Sequence, residues 1–212
     1  MPATLIPQVT MPRIVSPVRS ARPLRTDHYC ITVSQYHRMI SDGYFADDDR
    51  VELLEGQLVN KMSKKPPHST ACTALITLFT RFVPDDWLVR MQEPITLDTS
   101  EPEPDLALVR GTLPDFKENH PTPIQSGLIV EVADTSLARD EGVKQIMYAR
   151  NQISTYWIVN LVDQRVQVYR EPTAATESPK YSIRKDYYPG SVITVEIDGV
   201  SVGSIRVEDI LN

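Results

Sequence analysis

The sequence predicts one α/β (or α+β) domain built on a mixed central sheet flanked by helices. The chain has 212 residues, 41% of them hydrophobic, which is enough to bury a self-sufficient core without disulfides. Two nearly continuous apolar runs, 127–133 and 155–162, are typical of strands that are covered on both faces. A helical pattern lies between them and alternating strands follow them, so the order of elements favours a mixed sheet.

The composition argues against several functional classes. No apolar run is long enough to cross a bilayer, so we expect a cytoplasmic protein without a membrane partner. Cys30 and Cys72 form no CxxC pair and have no ligand spacing with a pair of histidines, which argues against zinc and for a reducing compartment. A net charge of −6 weighs against a protein that coats nucleic acid nonspecifically. It leaves a nuclease open, because bound cations supply positive charge at a cluster of acids.

The first 29 residues predict an irregular N-terminal arm, followed by the folded domain at 30–212. Prolines at 2, 7, 12, 17 and 23 interrupt both helix and strand, and arginines, not acids, precede Asp27. We interpret residues 1–29 as an extended or disordered tail. The functional alternative is a basic arm that contacts DNA or a partner subunit.

In the first half of the domain, the sequence predicts two helices, a hairpin and two strands. The pair Glu55-Gly56 lies between short apolar segments and indicates a β-hairpin at 51–59. Apolar residues recur at helical spacing from His68 to Val83, which predicts the clearest helix, with His68 or Ser69 as its N-cap. The other predicted elements are a helix at 34–40, capped by Ser34 and closed by Asp42-Gly43, and strands at 87–92 and 94–98.

The second half of the domain predicts the central sheet and one helix packed on it. The helix, at 140–151, is expected to turn Val143, Ile146 and Met147 toward the core. The C-terminal segments alternate apolar and polar residues, which is typical of antiparallel strands with one solvent-facing side. The predicted strands are 105–110, 127–133, 155–162, 165–170, 180–185 and 191–197.

Two carboxylates in this sheet predict a metal site. Glu131 lies between Val130 and Val132 in the most apolar strand, where a carboxylate is costly unless it is paired or binds a metal. Asp105 opens a strand after Pro104 and, taken alone, fits an exposed turn. Neighbouring strands can bring both acids to one end of a sheet, and Mg²⁺ uses one or two carboxylates plus water. We therefore expect Mg²⁺, with Mn²⁺ as an alternative, at Asp105 and Glu131.

Lys144 is the candidate that completes this group. It precedes Tyr148 by one helical turn, so the two side chains lie on a similar face. A lysine at a metal centre can orient the attacking water or stabilise the charge on a phosphate during hydrolysis. The alternative is a surface pair between lysine and glutamate beside a half-buried tyrosine.

The same residues resemble a known nuclease pattern. The Pro-Asp pair at 104–105 and Glu-Val-Ala at 131–133 resemble the PD-(D/E)XK nuclease motif, except that Ala133 stands where the motif has lysine. Lys144 resembles the migrated lysine of some branches of that superfamily. The longer segments VELLEGQLV, PPH, EPEPDLALV, LIVEVADTSLARDEGVKQIMYAR and TYWIVNLVDQRVQVYR resemble the Uma-type restriction-endonuclease-like family of bacteria, over roughly residues 30–200.

The resemblance implies a restriction-endonuclease-like fold and Mg²⁺-dependent hydrolysis of DNA phosphodiester bonds. Asp105 and Glu131 would bind the metal and Lys144 would be the catalytic lysine. Glu52, in the recurrent segment ELLEG, is a candidate third acid, and Glu55 is the other candidate there. Three further residues are candidates for substrate binding: His68, Gln145 and Tyr148. His68 could bind a metal or a phosphate, with capping of its helix as the alternative, and Gln145 has an ordinary exposed helix position as its alternative.

Two other functions remain open on the sequence alone. One is a nuclease fold without catalysis that acts as a protein interaction module, favoured by the acidic net charge and by Ala133. The other is a metal-dependent hydrolase of small phosphoesters, which a narrow pocket lined by Tyr148 and Trp157 would favour. Edge strands and an acidic surface predict a homodimer, which would place two cuts across a duplex.

Overall fold

A computed structural model describes residues 28–46, 48–173 and 178–211. The predicted arm at 1–29 therefore lies outside the described residues apart from His28 and Tyr29. The strands are β1 (Val51–Leu54), β2 (Gln57–Asn60), β3 (Trp87–Arg90), β4 (Leu106–Arg110), β5 (Ser126–Ala133), β6 (Thr155–Asn160), β7 (Arg165–Pro172), β8 (Tyr181–Tyr187), β9 (Val192–Ile197) and β10 (Val200–Arg206). The α-helices are α1 (Val33–Ser41), α2 (Pro66–Phe79), α3 (Leu137–Arg139), α4 (Gln145–Arg150) and α5 (Glu208–Leu211).

The central sheet has six strands in the order β3-β4-β5-β6-β7-β8. Strands β5 and β6 run parallel, and every other neighbouring pair in the sheet is antiparallel. A parallel pair needs a crossover connection, and the helical run from α3 through α4 provides it. The predicted mixed sheet is therefore confirmed.

Both faces of the sheet are covered, as the apolar runs predict. Along β5, side chains alternate between two core clusters, with Leu128 and Val130 in one and Ile129 and Ala133 in the other. Helix α2, the β9–β10 hairpin and α5 contribute to the first cluster. The end of β1, the segment around Ile95 and helix α4 contribute to the second. All eight residues of β5 are buried, Glu131 included.

The crossover is one continuous helical run with a π-helical turn, Asp140–Lys144, between α3 and α4. Such turns are rare and are frequent at functional sites. The run buries Asp140, Lys144, Met147 and Tyr148 against the sheet. The predicted inward face was wrong by about one residue: Met147 is buried, but Val143 and Ile146 are 36% and 40% exposed.

The helix starts also differ from the prediction. Thr32, not Ser34, caps α1: its hydroxyl accepts from the Gln35 amide and the Gln35 side chain accepts from the Thr32 amide, which is a capping box. Helix α2 begins with Pro66 and has no side-chain cap, so neither His68 nor Ser69 caps it. Proline fits this first position because its missing N–H would have no partner there.

The sequence predicted the β1–β2 hairpin but not the β9–β10 hairpin. Glu55 and Gly56 both have positive φ, 49° and 73°, the conformation of the predicted tight turn between β1 and β2. The β9–β10 hairpin turns at Asp198 and Gly199 in the same way, but β10 was not predicted. The segment 94–98, predicted as a strand, does not form one. No helix in the described ranges is long and apolar enough to span a membrane.

Candidate active site

Asp105 and Glu131 meet at one end of the sheet because β4 and β5 are adjacent. Leu106 pairs with Val130, and continuing this antiparallel register places Asp105 opposite Glu131. The Val132 amide donates to Asp105 Oδ2 over 2.8 Å, and His68 Nε2 lies 3.1 Å from the same oxygen. The Asp105 carboxylate is thus fixed by a strand and by helix α2, while among the described residues Oδ1 has a single, 3.4 Å contact, with Gln92 Nε2.

Glu131 is 4% exposed and uses one carboxylate oxygen for its contacts. Lys144 Nζ donates to Glu131 Oε1 over 2.9 Å, and the Tyr148 hydroxyl donates to the same oxygen over 2.9 Å. Among the residues that the structure describes, no hydrogen bond reaches Oε2. Since Glu131 lines the cleft at this end of the sheet, Oε2 is the oxygen that remains for a ligand.

Glu52 joins this group from the β1–β2 hairpin. It is 2% exposed, and its Oε2 lies 3.5 Å from Lys144 Nζ. The Glu103 amide donates to Oε2 over 3.3 Å, and Arg139 Nη1 lies 3.5 Å from Oε1. The structure therefore brings together Asp105, Glu131, Lys144 and Glu52, whereas Glu55 pairs with Arg150 outside the cleft.

Asp140 is a fourth acid, which the sequence reasoning missed. It is 1% exposed, accepts a 2.5 Å hydrogen bond from the Ser136 hydroxyl, and lines the cleft. Its position four residues before Lys144 is the signal that was available, because residues at this spacing share a helix face.

Burial and the charges of neighbouring side chains shift the pKa values of Glu131, Asp140 and Lys144. Burial raises the pKa of Glu131; Lys144 lowers it, but the Asp140, Asp105 and Glu52 carboxylates raise it further, and the net direction is upward. Burial likewise raises the pKa of Asp140, to about 6. Burial alone would lower the pKa of Lys144, but Glu131, Glu52 and Asp140 raise it above its usual value. Lys144 is therefore an ammonium and not a base.

Asp105 differs from the other acids. Burial alone would raise its pKa, but hydrogen bonding and charge from His68, together with the Val132 amide, lower it overall. Asp105 is thus ionised over a wider pH range than Glu131 or Asp140. The cluster holds four carboxyl groups against Lys144 and Arg139, and a divalent cation would stabilise their ionised forms.

Replacing Glu131 with glutamine is expected to change how stability depends on pH. Because the folded state raises the pKa of this carboxyl above its ordinary 4.5, the native protein retains a proton that the unfolded chain releases. The free energy of unfolding of the wild type therefore falls as the pH rises through this window. Urea titrations between about pH 5 and about pH 8 should show a smaller fall for Glu131→Gln. Equal slopes would show that Lys144 keeps Glu131 ionised throughout.

His68 lies between Asp105 and a buried cysteine. Its Nδ1 is 3.5 Å from Cys72 Sγ, and its Nε2 faces Asp105. A tautomer with the proton on Nε2 donates to Asp105 and accepts from the Cys72 thiol. Burial, with the nearby Asp105 charge, raises the pKa of Cys72, so the thiol is not a ready nucleophile. The interpretation of His68 as a helix cap was wrong.

Basic residues line the mouth of the cleft. Lys61 pairs with Glu103, whereas Lys64 Nζ donates to Gln92 Oε1 over 2.5 Å. Arg50 also lines the cleft. Burial lowers the pKa of Lys64, repulsion from Arg50 lowers it further, and the Asp105 charge offsets part of the shift. An anionic ligand would relieve that repulsion.

The remaining predicted residues lie away from the cleft. Tyr148 is fully buried behind Glu131, so its predicted contact with substrate does not fit its position. Gln145 is not among the residues that line the cleft. Tyr148 and Trp157 belong to different core clusters, so the narrow pocket that would favour a small phosphoester is not formed by them.

The donor set fits a hard divalent cation. Asp105 Oδ1 and Glu131 Oε2 are carboxylate oxygens whose hydrogen bonding is weak or lacking among the described residues, and oxygen donors are what Mg²⁺ and Mn²⁺ prefer. Glu52 and Asp140 stand in the same cleft as further acids.

Comparison with known proteins bears on the family and the fold of this chain. The model of the Uma2 family, described as "Putative restriction endonuclease", matches residues 33–196. Among solved structures, the fold is similar to that of "a putative nuclease belonging to DUF820" from Anabaena variabilis ATCC 29413. The TM-score is 0.64 and the identity 14%, over 85% of this chain and 97% of that one. No curated protein matches the chain. At this identity the structural likeness concerns the fold alone, and it confirms the predicted nuclease-like fold.

Proposed function

The chain belongs to the Uma2 family, and from this premise we propose that it is a Mg²⁺-dependent endonuclease that hydrolyses phosphodiester bonds in DNA. Family membership supports a nuclease. The observation that carries the finer proposal is the convergence of Asp105, Glu131 and Lys144 in one cleft, with Lys144 Nζ 2.9 Å from Glu131. An interaction module would have no need to bury this charged group, because buried charges are costly.

Asp105 and Glu131 would hold the cation, Mg²⁺ or Mn²⁺. When bound, the cation supplies Lewis-acid polarisation of the phosphate and lowers the pKa of water. Asp105 is suited to binding because His68 and the Val132 amide keep it ionised and fixed. Glu131 would bind through Oε2 while Lys144 and Tyr148 hold Oε1. Tyr148 is therefore a positioning residue and not a substrate ligand.

Lys144 would stabilise negative charge on the phosphate as it is attacked. Its ammonium lines the cleft and stays protonated because three carboxylates raise its pKa. The π-helical turn places it there from the helix, in place of a lysine at position 133 of the strand. Glu52 holds Lys144 from the other side at 3.5 Å, which restricts its position before substrate arrives.

The rim of the cleft supports DNA over a small phosphoester. Lys64 and Arg50 lie beside the acidic cluster, and Lys64 is linked to Asp105 through Gln92. A polymer would place a neighbouring phosphate near these cations while its scissile phosphate lies at Asp105 and Glu131. A homodimer, which would present two such sites to a duplex, remains a prediction, and sedimentation at several concentrations would test it.

The test of this proposal compares three substrates with and without metal. Supercoiled plasmid, single-stranded DNA and bis(p-nitrophenyl) phosphate are incubated with the protein in Mg²⁺, Mn²⁺ or EDTA. We expect nicking or linearisation of plasmid in the metals and none in EDTA. Cleavage of the small ester alone would favour the phosphoester hydrolase. A folded protein that cuts none of the three in either metal would favour the interaction module.

Lys64→Ala is expected to weaken DNA binding without weakening metal binding. Removing one phosphate contact should lower the slope of log affinity against log salt by about 1. Fluorescence anisotropy of labelled DNA, without added metal, measures this slope. Lys180→Ala is the matched control, because Lys180 is exposed and does not line the cleft. Equal losses in both variants would show that Lys64 contributes only general charge.

A further inference from the structure

A second set of metal-ligating groups lies on the α2 side of Asp105. His68 and Cys72 are four residues apart on α2 and share a face of the helix, with Nδ1 3.5 Å from Sγ. One donor atom each of His68, Cys72 and Asp105 lies within 4.8 Å of the other two. We infer that these three residues form a binding site for Zn²⁺ or a similar thiophilic divalent cation.

The spacing of the donors fits a zinc ion. Zinc binds sulfur at about 2.3 Å and imidazole nitrogen at about 2.0–2.1 Å in tetrahedral geometry, which places the two donor atoms about 3.6 Å apart. The Nδ1–Sγ distance of 3.5 Å is already this spacing. Asp105 Oδ2 faces the other ring nitrogen, Nε2, at 3.1 Å and accepts from the Val132 amide. The carboxylate therefore has to leave these contacts to bind the same ion at about 2.0–2.2 Å.

The ligand types separate this site from the hard-cation pair. Thiolate and imidazole favour zinc, whereas carboxylates favour Mg²⁺ and Mn²⁺, so His68 and Cys72 would select a different ion from Asp105 and Glu131. The ion can enter through the cleft, because His68 and Asp105 line it. Cys72 lies behind them at 4% exposure. A water molecule from the cleft would complete the fourth position.

Asp105 belongs both to the zinc site and to the Mg²⁺ or Mn²⁺ site, so zinc binding would affect cleavage. A zinc ion that takes the Asp105 carboxylate removes one of the two ligands of the hard cation. Zinc should therefore inhibit cleavage at concentrations far below those of the activating metal. This inhibitory consequence rests on the proposed function, whereas zinc binding itself does not.

Binding is tested with Co²⁺, which substitutes for zinc and absorbs when a thiolate binds it. The full chain carrying Cys30→Ser, which removes the exposed cysteine, is titrated under a non-thiol reductant. We expect a near-ultraviolet thiolate-to-cobalt band that saturates at one equivalent and disappears when Zn²⁺ is added. Adding Cys72→Ala should abolish the band, and His68→Asn, which leaves the buried cysteine in place, should weaken cobalt affinity at least tenfold. A band that survives Cys72→Ala, or no band in the folded Cys30→Ser protein, overturns the site.

The inhibitory role is measured separately on cleavage. Each protein is compared with its own zinc-free rate in Mn²⁺, and Cys72→Ala should raise the zinc concentration for half-inhibition at least tenfold. An unchanged value overturns the inhibitory role. If the wild type cuts no substrate in any metal, the nuclease proposal fails, and the cobalt titration still decides whether the zinc site exists.

Discussion

Lys144→Met is expected both to destabilise the protein and to remove its cleavage activity. The change keeps most of the unbranched side chain but leaves Glu131, Glu52 and Asp140 buried without their shared cation. Breaking a buried ion pair from one side costs about 3–5 kcal/mol, which chemical denaturation at about pH 8 should detect. Loss of the cationic stabiliser should lower kcat about 10²–10³-fold, as for other preorganised donors.

The pH dependence separates this explanation from a simple packing defect. As the pH falls below the raised pKa values of Glu131 and Asp140, these carboxyls protonate and no longer need Lys144. The difference in unfolding free energy between Lys144→Met and the wild type should therefore shrink at acidic pH. A loss of stability that is constant with pH would mean that packing, and not charge, is responsible. Lys185→Met, on the exposed edge strand β8, is the matched control.

Asp105→Asn is expected to abolish metal-dependent cleavage while leaving the fold intact. The amide keeps the size of the side chain but removes the charge that the cation needs. Several kcal/mol of transition-state stabilisation depend on the metal, which corresponds to a loss of about a thousandfold. Plasmid cleavage and Mn²⁺ titration calorimetry should both report the loss.

The matched control for Asp105→Asn is Asp86→Asn, in the loop before β3. Asp86 is exposed and does not line the cleft, so cleavage and metal binding should stay at the wild-type level. Cleavage that survives Asp105→Asn would indicate a contaminating nuclease or a different metal site. A variant that binds Mn²⁺ normally but does not cut would move Asp105 from metal binding to another role.

The sequence predicted the sheet well because the strands are unusually apolar. In β5 the one charged residue, Glu131, stood out among valines, and the structure gives it Lys144 and Tyr148 as partners. Asp105 was ambiguous on its own. Only the β4–β5 register, with Leu106 opposite Val130, puts it beside Glu131.

The helix that carries Lys144 shows where an apolarity criterion fails. Such a criterion chose Val143, Ile146 and Met147 as the inward residues. Met147 is buried, but the rest of the buried face carries Asp140 and Lys144 in place of Val143 and Ile146. The helical period was right and its phase was wrong, because charges that neutralise one another occupy part of the core-facing side. This is also why Asp140 was missed.

Other differences between the predicted and the observed structure could have been predicted from short sequence motifs. Thr32 and Gln35 have the spacing of a capping box. Asp198-Gly199 is a residue pair typical of tight hairpin turns, and it predicts a further strand, β10, after β9. His68 and Cys72 have helical same-face spacing, whereas the prediction against zinc rested on the absence of a CxxC pair and of a histidine pair with ligand spacing; that prediction stays untested.

The most direct test of the central claim is a crystal structure of the protein soaked in Mn²⁺, with the ion located by its anomalous scattering. We expect one strong peak within about 2.5 Å of a carboxylate oxygen of both Asp105 and Glu131, with Lys144 still in contact with Glu131. A manganese ion bound elsewhere without these two residues would contradict the account. A cleft that stays empty at millimolar Mn²⁺ while the protein cleaves DNA in the same solution would contradict it as well.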